Sequence, residues 1–141
     1  MTLHRLTIPT HGPACHDITR DIAAFLRRIG ATEGVVTVFL RHTSCSLLIQ
    51  ENADPDVQVD LLAWLERMAP PSDHPSMAWV THRDEGPDDM PAHIKAALLP
   101  TSLQIPVEAG RMTLGTWQGL YLVEHRRASH RRAVVVKFQA G

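Results

Sequence analysis

From Ser102 onward the chain is a series of short apolar stretches with too little sequence between them for crossover connections. Ser102–Val107, Arg111–Leu114, Leu120–Glu124 and Ala133–Phe138 each carry strand-type residues, and links such as Glu108-Ala109-Gly110 have hairpin length. Parallel pairing needs a connection of roughly a dozen residues or more, so these strands are expected to pair antiparallel. The earlier chain supplies the helices. Asp17 reads as an N-cap ahead of Ile18, Ile22, Phe25, Leu26 and Ile29, which share one helical face until Gly30 stops it. Asp54-Pro55 is a cap followed by a first-turn proline. Behind it Val57, Leu61, Trp64, Leu65 and Met68 repeat the same spacing as far as Pro70-Pro71. Thr2–Ile8 alternates as a strand ended by Pro9. Val35–Leu40 is a β-branched run, followed after His42-Thr43-Ser44 by a second run through Ile49. The stretch from Pro70 to Pro91 reads as a long loop with at most a short strand at Met77–Val80. A short third helix is expected over Pro91–Leu99. This order predicts one α+β domain over residues 1–141, mainly antiparallel sheet with two longer helices and one short one.

Composition removes several functions. A chain of 141 residues can bury a core without metal or disulfide staples, and its two cysteines, Cys15 and Cys45, form no disulfide framework. A formal net charge of −1 gives no field that would favour nucleic acid or an anionic membrane. Arg126, Arg127, Arg131 and Arg132 make a local basic patch, but no aromatic residue interleaves with them as a stacking platform requires. That patch is better read as a solvated hairpin end or a subunit contact. No apolar run approaches the roughly 18 residues of a membrane span, and Met1-Thr2-Leu3-His4-Arg5 lacks the core of a leader. A cytoplasmic setting is the expectation.

Chemistry concentrates in two polar clusters. One is His42-Thr43-Ser44-Cys45-Ser46 leading to Gln50-Glu51-Asn52-Ala53-Asp54-Pro55. The other is His82-Arg83-Asp84-Glu85-Gly86-Pro87-Asp88-Asp89-Met90-Pro91-Ala92-His93. Imidazoles and carboxylates at this density match the ligands of a divalent metal, or an acid/base pair working near neutral pH. His82 and His93, with ten residues between them, could converge if the acidic loop folds back on itself. With Pro91 near the helix start, His93 would lie in the first turn, where the dipole keeps imidazole neutral and free N–H groups attract anions. Asp88 or Asp89 could instead simply cap that helix. His42 follows Val36, Val38 and Leu40 at period two, which aims it at a buried face; a structural histidine bonded to backbone is the plainer reading. Asp60 flanks the stripe of the second helix, one turn before Trp64. Glu124 shares a face with Leu120 and Leu122 and so needs a cation. Gly115-Thr116-Trp117-Gln118-Gly119 reads as a tight bend that brings backbone near a ligand or another chain, with Gln118 able to present its amide.

These segments together resemble the YjbQ-type proteins, also called the secondary thiamine-phosphate synthase enzyme family. The likeness is carried by His42-Thr43-Ser44-Cys45-Ser46, Glu51-Asn52-Ala53-Asp54-Pro55, Glu85 to Lys95, Gly115-Thr116-Trp117-Gln118-Gly119 and Glu124-His125-Arg126. Gln50 and Cys45 depart from the family, which usually has Asn and Ala there. The resemblance implies antiparallel sheets packed as a sandwich or barrel, a homotrimer, and a polar pocket holding a divalent metal, zinc or magnesium. It implies His82 and His93 as metal ligands, with His125 or His42 as a third. Glu51, Asp60, Asp89 and His42 are then the expected catalytic groups. Lys95, Arg111, Thr116 and Gln118 are the expected contacts to a small phosphorylated metabolite. A weak thiamine-phosphate-synthase-like activity is implied as a side reaction; a non-catalytic trimer binding a metabolite or anion is the rival.

Overall fold

The computed structural model describes residues 2–141. In chain order these are β1 (Thr2–Thr10), β2 (Ala14–Asp17), α1 (Thr19–Arg28), β3 (Gly34–Leu40), β4 (Cys45–Glu51), α2 (Pro55–Met68) and a 3-10 turn (Pro75–Met77). They are followed by α3 (Asp89–Leu98), β5 (Ser102–Glu108), β6 (Arg111–Met112), β7 (Gln118–Glu124) and β8 (His130–Ala140). One sheet has the order β1-β8-β3-β5-β6 and the other β2-β7-β4. All strand pairs are antiparallel. The α+β architecture with antiparallel sheets is as expected, but of the strands after Ser102 only β5 and β6 form a hairpin: β7 pairs with β2 and β4 in the other sheet, and β8 with β1 and β3.

The core follows from period-two and period-3.6 patterning meeting on one side. Val36, Val38 and Leu40 point inward from β3, Val134, Val136 and Phe138 from β8, and Ile105 and Val107 from β5. Leu47 of β4 and Leu120 and Leu122 of β7 join them from the second sheet, and Ile22, Phe25 and Leu26 from α1. Fully burying each such side chain is worth about 1.5–3 kcal/mol. β7 is buried on both faces: Tyr121 and Val123 are covered as well, outside that cluster. A strand so enclosed is a rigid rail, and its two ends carry much of the chemistry described below.

Several local expectations shift. Asp17 does cap α1, its Oδ1 accepting from the Thr19 N–H at 2.9 Å, but from one position before the N-cap residue Ile18. Asp54 caps α2 as expected, accepting from the Asp56 N–H at 2.9 Å. Pro9 does not end β1; the strand continues to Thr10, because β1 is an edge strand where a missing N–H is tolerated. Met77–Val80 is not a strand: His74 and Pro75 start a 3-10 turn there instead. β2 is an additional strand, its four residues too short to show alternation. On α2 only Leu65 is buried, while Val59, Trp64 and Met68 are exposed. Periodicity identified the face but not what covers it.

The β5–β6 hairpin turns at Ala109 (φ +51°) and Gly110 (φ +78°). Two successive left-handed residues favour Asn-Gly, and alanine there is strained. Ala109→Asn is therefore expected to stabilise the fold by about 0.5–1 kcal/mol, read as a higher urea midpoint at unchanged slope.

Candidate functional site

The loop before α3, the first turns of α3 and the corner between β7 and β8 meet in a compact polar cluster. His82 Nε2 lies 2.7 Å from Asp89 Oδ2, and His93 Nε2 lies 3.1 Å from the same oxygen. Glu85 Oε2 is 3.9 Å from His82 Nε2. One donor atom from each of His82, Glu85, Asp89 and His93 lies within 4.8 Å of the others. Among the described residues this is the one group of metal-holding size. The chain thus folds back through its acidic loop and brings the two imidazoles together, their ring centroids 5.5 Å apart.

The cluster is held from below. Asp89 is only 2% exposed, and its second oxygen, Oδ1, accepts from Arg126 Nη1 at 2.7 Å. Arg126 also donates through Nε to Asp88 Oδ2 at 3.0 Å and through Nη2 to the Glu85 carbonyl at 3.1 Å. The Arg127 N–H adds a further bond to Asp88. Neither aspartate caps α3, so the capping alternative fails: both carboxylates are engaged by Arg126. Burial pushes the Asp89 carboxyl upward, but hydrogen bonding with His82 and the nearby Arg126 charge outweigh it and hold the group below its usual range. The loop itself is braced by Arg83, which donates to the carbonyls of Val80, Ser72 and Met77 at 2.9–3.1 Å.

α3 begins at Asp89, so Pro91 is its third residue and His93 its fifth, beyond the free N–H groups of the first turn. What orients His93 is Thr43, whose carbonyl lies 2.8 Å from Nδ1. A carbonyl can only accept, so Nδ1 carries a proton, and Nε2 is the atom turned toward Asp89, as an N–H donor or as a lone pair. A lone pair 3.1 Å from a carboxylate oxygen is repulsive unless a proton or a cation lies between them. The donor set, two imidazoles and one or two carboxylates, suits zinc better than magnesium, which prefers all-oxygen shells. A tetrahedral zinc with arms of about 2.0–2.1 Å separates its donors by about 3.3 Å. Against that figure, the His93–Asp89 spacing of 3.1 Å nearly fits, the His82–Asp89 spacing of 2.7 Å must open by about 0.6 Å, and the Glu85–His82 spacing of 3.9 Å must close by about as much.

The remaining expected residues divide between two ends of the molecule. His42 lines a cleft of about 290 Å³ together with Thr43, His93, Ala96, Ala97 and Thr101. Its Nε2 accepts from the Ala133 N–H at 2.8 Å, so it has the structural bond of the plainer reading while standing at the cleft wall. Burial, then the charge of Arg132, hold its ring below the ordinary value. His125 does not join the cluster: its ring is buried, with Nε2 2.8 Å from Ser46 Oγ. Lys95 is also turned away from any anion; it is buried and paired with Glu66 at 2.9 Å. Glu124 has its cation, Arg132, whose Nε donates at 2.7 Å. Arg126 and Arg132 are both taken by internal ion pairs, which leaves Arg127 and Arg131 as the exposed half of the basic patch.

Glu51, Thr116, Gln118 and Arg111 lie elsewhere. Cys45 pairs with Glu124 at one end of the β4–β7 ladder and Glu51 with Gln118 at the other, six residues and about 20 Å along. Glu51 there accepts from the Asp54 N–H at 2.8 Å, and Gln118 Oε1 accepts from the Gly115 N–H at 2.8 Å. The Thr116 carbonyl accepts from Asn52. Asp60 sits midway along α2, exposed. Within one chain these groups do not reach the histidines. Sequence reasoning also passed over Glu85 and Arg126 as site members, although both lie inside the motifs it quoted. Thr43 acts through its backbone, which no side-chain pattern could reveal.

Residues 4–141 match the family described as UPF0047 protein YjbQ-like. The chain belongs to this family. It is 47% identical to a UPF0047 protein of Synechocystis sp. over 131 residues, 93% of this chain and 86% of that one. It is 37% identical to the UPF0047 protein YjbQ of Escherichia coli O157:H7 over 135 residues, covering 95% and 94%. Among solved structures, a conserved hypothetical protein of Thermus thermophilus superposes with a TM-score of 0.82 at 35% identity, covering 96% of this chain and 99% of that one. A YjbQ/UPF0047 family member from Clostridium acetobutylicum gives 0.81 at 34% identity, covering 99% and 100%. The family is thus shown, and it is an uncharacterised one: none of these descriptions states an activity.

His125 gives this YjbQ-like fold a definite acid response. Burial pushes its ring down to about 4. Below the unfolded value of about 6.5 the unfolded ring takes up a proton that the folded ring refuses, so stability falls as pH drops from there toward 4. The carboxylates held low, Glu124 foremost, lose their contribution only at still lower pH. The His125 contribution is expected to remove about 2 kcal/mol between pH 7 and pH 5. His125→Gln should flatten the slope of unfolding free energy against pH in that window; an unchanged slope would assign the effect to other groups.

Proposed function

We propose that His82, Asp89 and His93, with Glu85 beside them, hold a divalent metal, zinc by preference. We further propose that the adjoining cleft takes a small phosphorylated metabolite. The observation that carries this reading is the convergence of two imidazole Nε2 atoms on one buried carboxylate oxygen, with Thr43 fixing the His93 tautomer. Bound there, a divalent cation supplies Lewis-acid stabilisation of charge on a phosphate or pyrophosphate oxygen. The protein groups do the rest. Arg126 keeps Asp89 ionised and aimed, Thr43 keeps His93 facing the cluster, and the walls at Ala96, Ala97 and Thr101 position the organic part of the ligand beside His93. His42, neutral because its Nε2 accepts a backbone bond, has Nδ1–H as the proton it can offer. A weak thiamine-phosphate-synthase-like transfer, joining a pyrimidine diphosphate to a thiazole phosphate with loss of pyrophosphate, is the finer part of this reading. It asks mainly for anion stabilisation, so a general phosphate site would perform it feebly.

Zinc is expected to bind at about one ion per chain, measured by elemental analysis after dialysis. His93→Ala and Asp89→Asn should each lose it while keeping the far-ultraviolet dichroism of the parent. One-to-one retention in His93→Ala would overturn the metal role. A non-catalytic metabolite-binding protein is the second reading, favoured by the absorption of Lys95 and Glu124 into structural ion pairs. Prolonged incubation with phosphorylated metabolites distinguishes them: product supports the enzyme, whereas a thermal shift without product supports the binding protein.

The assembly belongs to the same proposal. Val59, Trp64 and Met68 on α2, with Trp79 and Trp117, leave large apolar side chains in water on a single chain. Self-association into a homotrimer would cover such surface. Light scattering coupled to size exclusion should report three times the chain mass of 15.7 kDa, and Trp64→Glu should lower it; a monomer in the parent would remove the trimer.

A further inference from the structure

A larger cavity, about 410 Å³, lies away from the histidine cluster, between α1, the β5–β6 hairpin and the bend that leads into β7. Thr19, Arg27, Arg111, Met112, Leu114 and Gln118 are among its walls. Its volume is within the range of small-molecule sites. Two arginines, both exposed, line one space, and among the described residues neither Arg27 nor Arg111 forms an ion pair or a side-chain hydrogen bond. This differs from Arg83, Arg126 and Arg132, each of which is engaged by several oxygens. Gln118 Oε1 is taken by the Gly115 N–H, which turns attention to its amide NH₂ as a further donor. Met112 and Leu114, with Ala23, supply an apolar floor. Two like charges beside one cavity are best compensated by an anion, and guanidinium matches carboxylate or phosphate in bidentate geometry.

We infer that this cavity is a second, metal-independent site for a small organic anion, an apolar body carrying one carboxylate or phosphate group held between Arg27 and Arg111. The β7 strand separates it from the metal cluster: Gln118 at its first residue lines the cavity, and Arg126, two residues past its end, holds Asp89. Eight residues of extended chain span about 25 Å, so one small ligand cannot bridge the two within a chain.

Isothermal titration with phenyl phosphate, benzoate and inorganic phosphate tests this on the full chain. Phenyl phosphate or benzoate is expected to bind saturably and more tightly than inorganic phosphate, which lacks the apolar body; the ranking of the two tells phosphate from carboxylate. The double variant Arg27→Gln/Arg111→Gln should weaken that binding about tenfold or more, and Ala23→Phe, which fills the floor, should abolish it. His93→Ala and chelator-treated protein should bind as the parent does. No saturable binding of either organic probe, or equal binding by the double arginine variant, overturns the site. So does equal affinity for inorganic phosphate. Loss of binding in His93→Ala overturns its independence and assigns the anion to the metal cluster, through a neighbouring subunit if the arginine variant also fails.

Discussion

A carboxylate removed from water must be paired, and the arrangement around Asp89 follows from that requirement. Its two oxygens have different partners. Oδ1 takes the Arg126 guanidinium, which ties the β7–β8 corner to the first turn of α3, and Oδ2 is left to the two imidazoles. Because Arg126 also takes Asp88 and the Glu85 carbonyl, one side chain sets the entry of α3, the end of the acidic loop and the orientation of the cluster. Breaking a buried pair by removing one partner typically destabilises by about 3–5 kcal/mol. The second buried pair, Glu124 with Arg132, anchors the same corner to β8. The site is therefore preorganised by charges the fold cannot leave unmatched.

Much of this was legible in the chain. Asp54-Pro55 and Gly30 announce helix ends by mechanisms that act within a few residues, and Glu108-Ala109-Gly110 announced the β5–β6 hairpin, whereas β7 and β8 pair with strands far earlier in the chain. The convergence of His82 and His93 was open to the sequence as one of two readings, because an acidic loop of ten residues can fold back on itself or stay solvated. What was not legible depends on distant partners. Lys95 looked like a free cation until Glu66, from another helix, met it. His125, a possible third ligand only by the family resemblance, is buried by the fold against Ser46. Asp88 and Asp89 read as caps because their local context cannot reveal an arginine nearly forty positions away. The placement of Glu51 and Gln118 at the far end of the β4–β7 ladder followed from register, which strand composition does not encode.

The resulting molecule has two distinct chemical environments joined by a doubly buried strand. At one end, titratable nitrogen and oxygen donors crowd around a small polar focus. At the other, two guanidiniums with no ion pair among the described residues border a roomier, greasier hollow. A strand packed on both faces has little freedom to shift, so ligands at the two ends would influence one another through surface contacts and assembly more readily than through the interior.

All three tryptophans, Trp64, Trp79 and Trp117, are more than half exposed, whereas the single tyrosine, Tyr121, is buried. Indole emission from the single chain accordingly originates in water. Its colour should change little when the core melts and shift toward the blue when something covers the surface. Near-ultraviolet dichroism from Tyr121 is the complementary signal, reporting the interior while the indoles report what arrives outside.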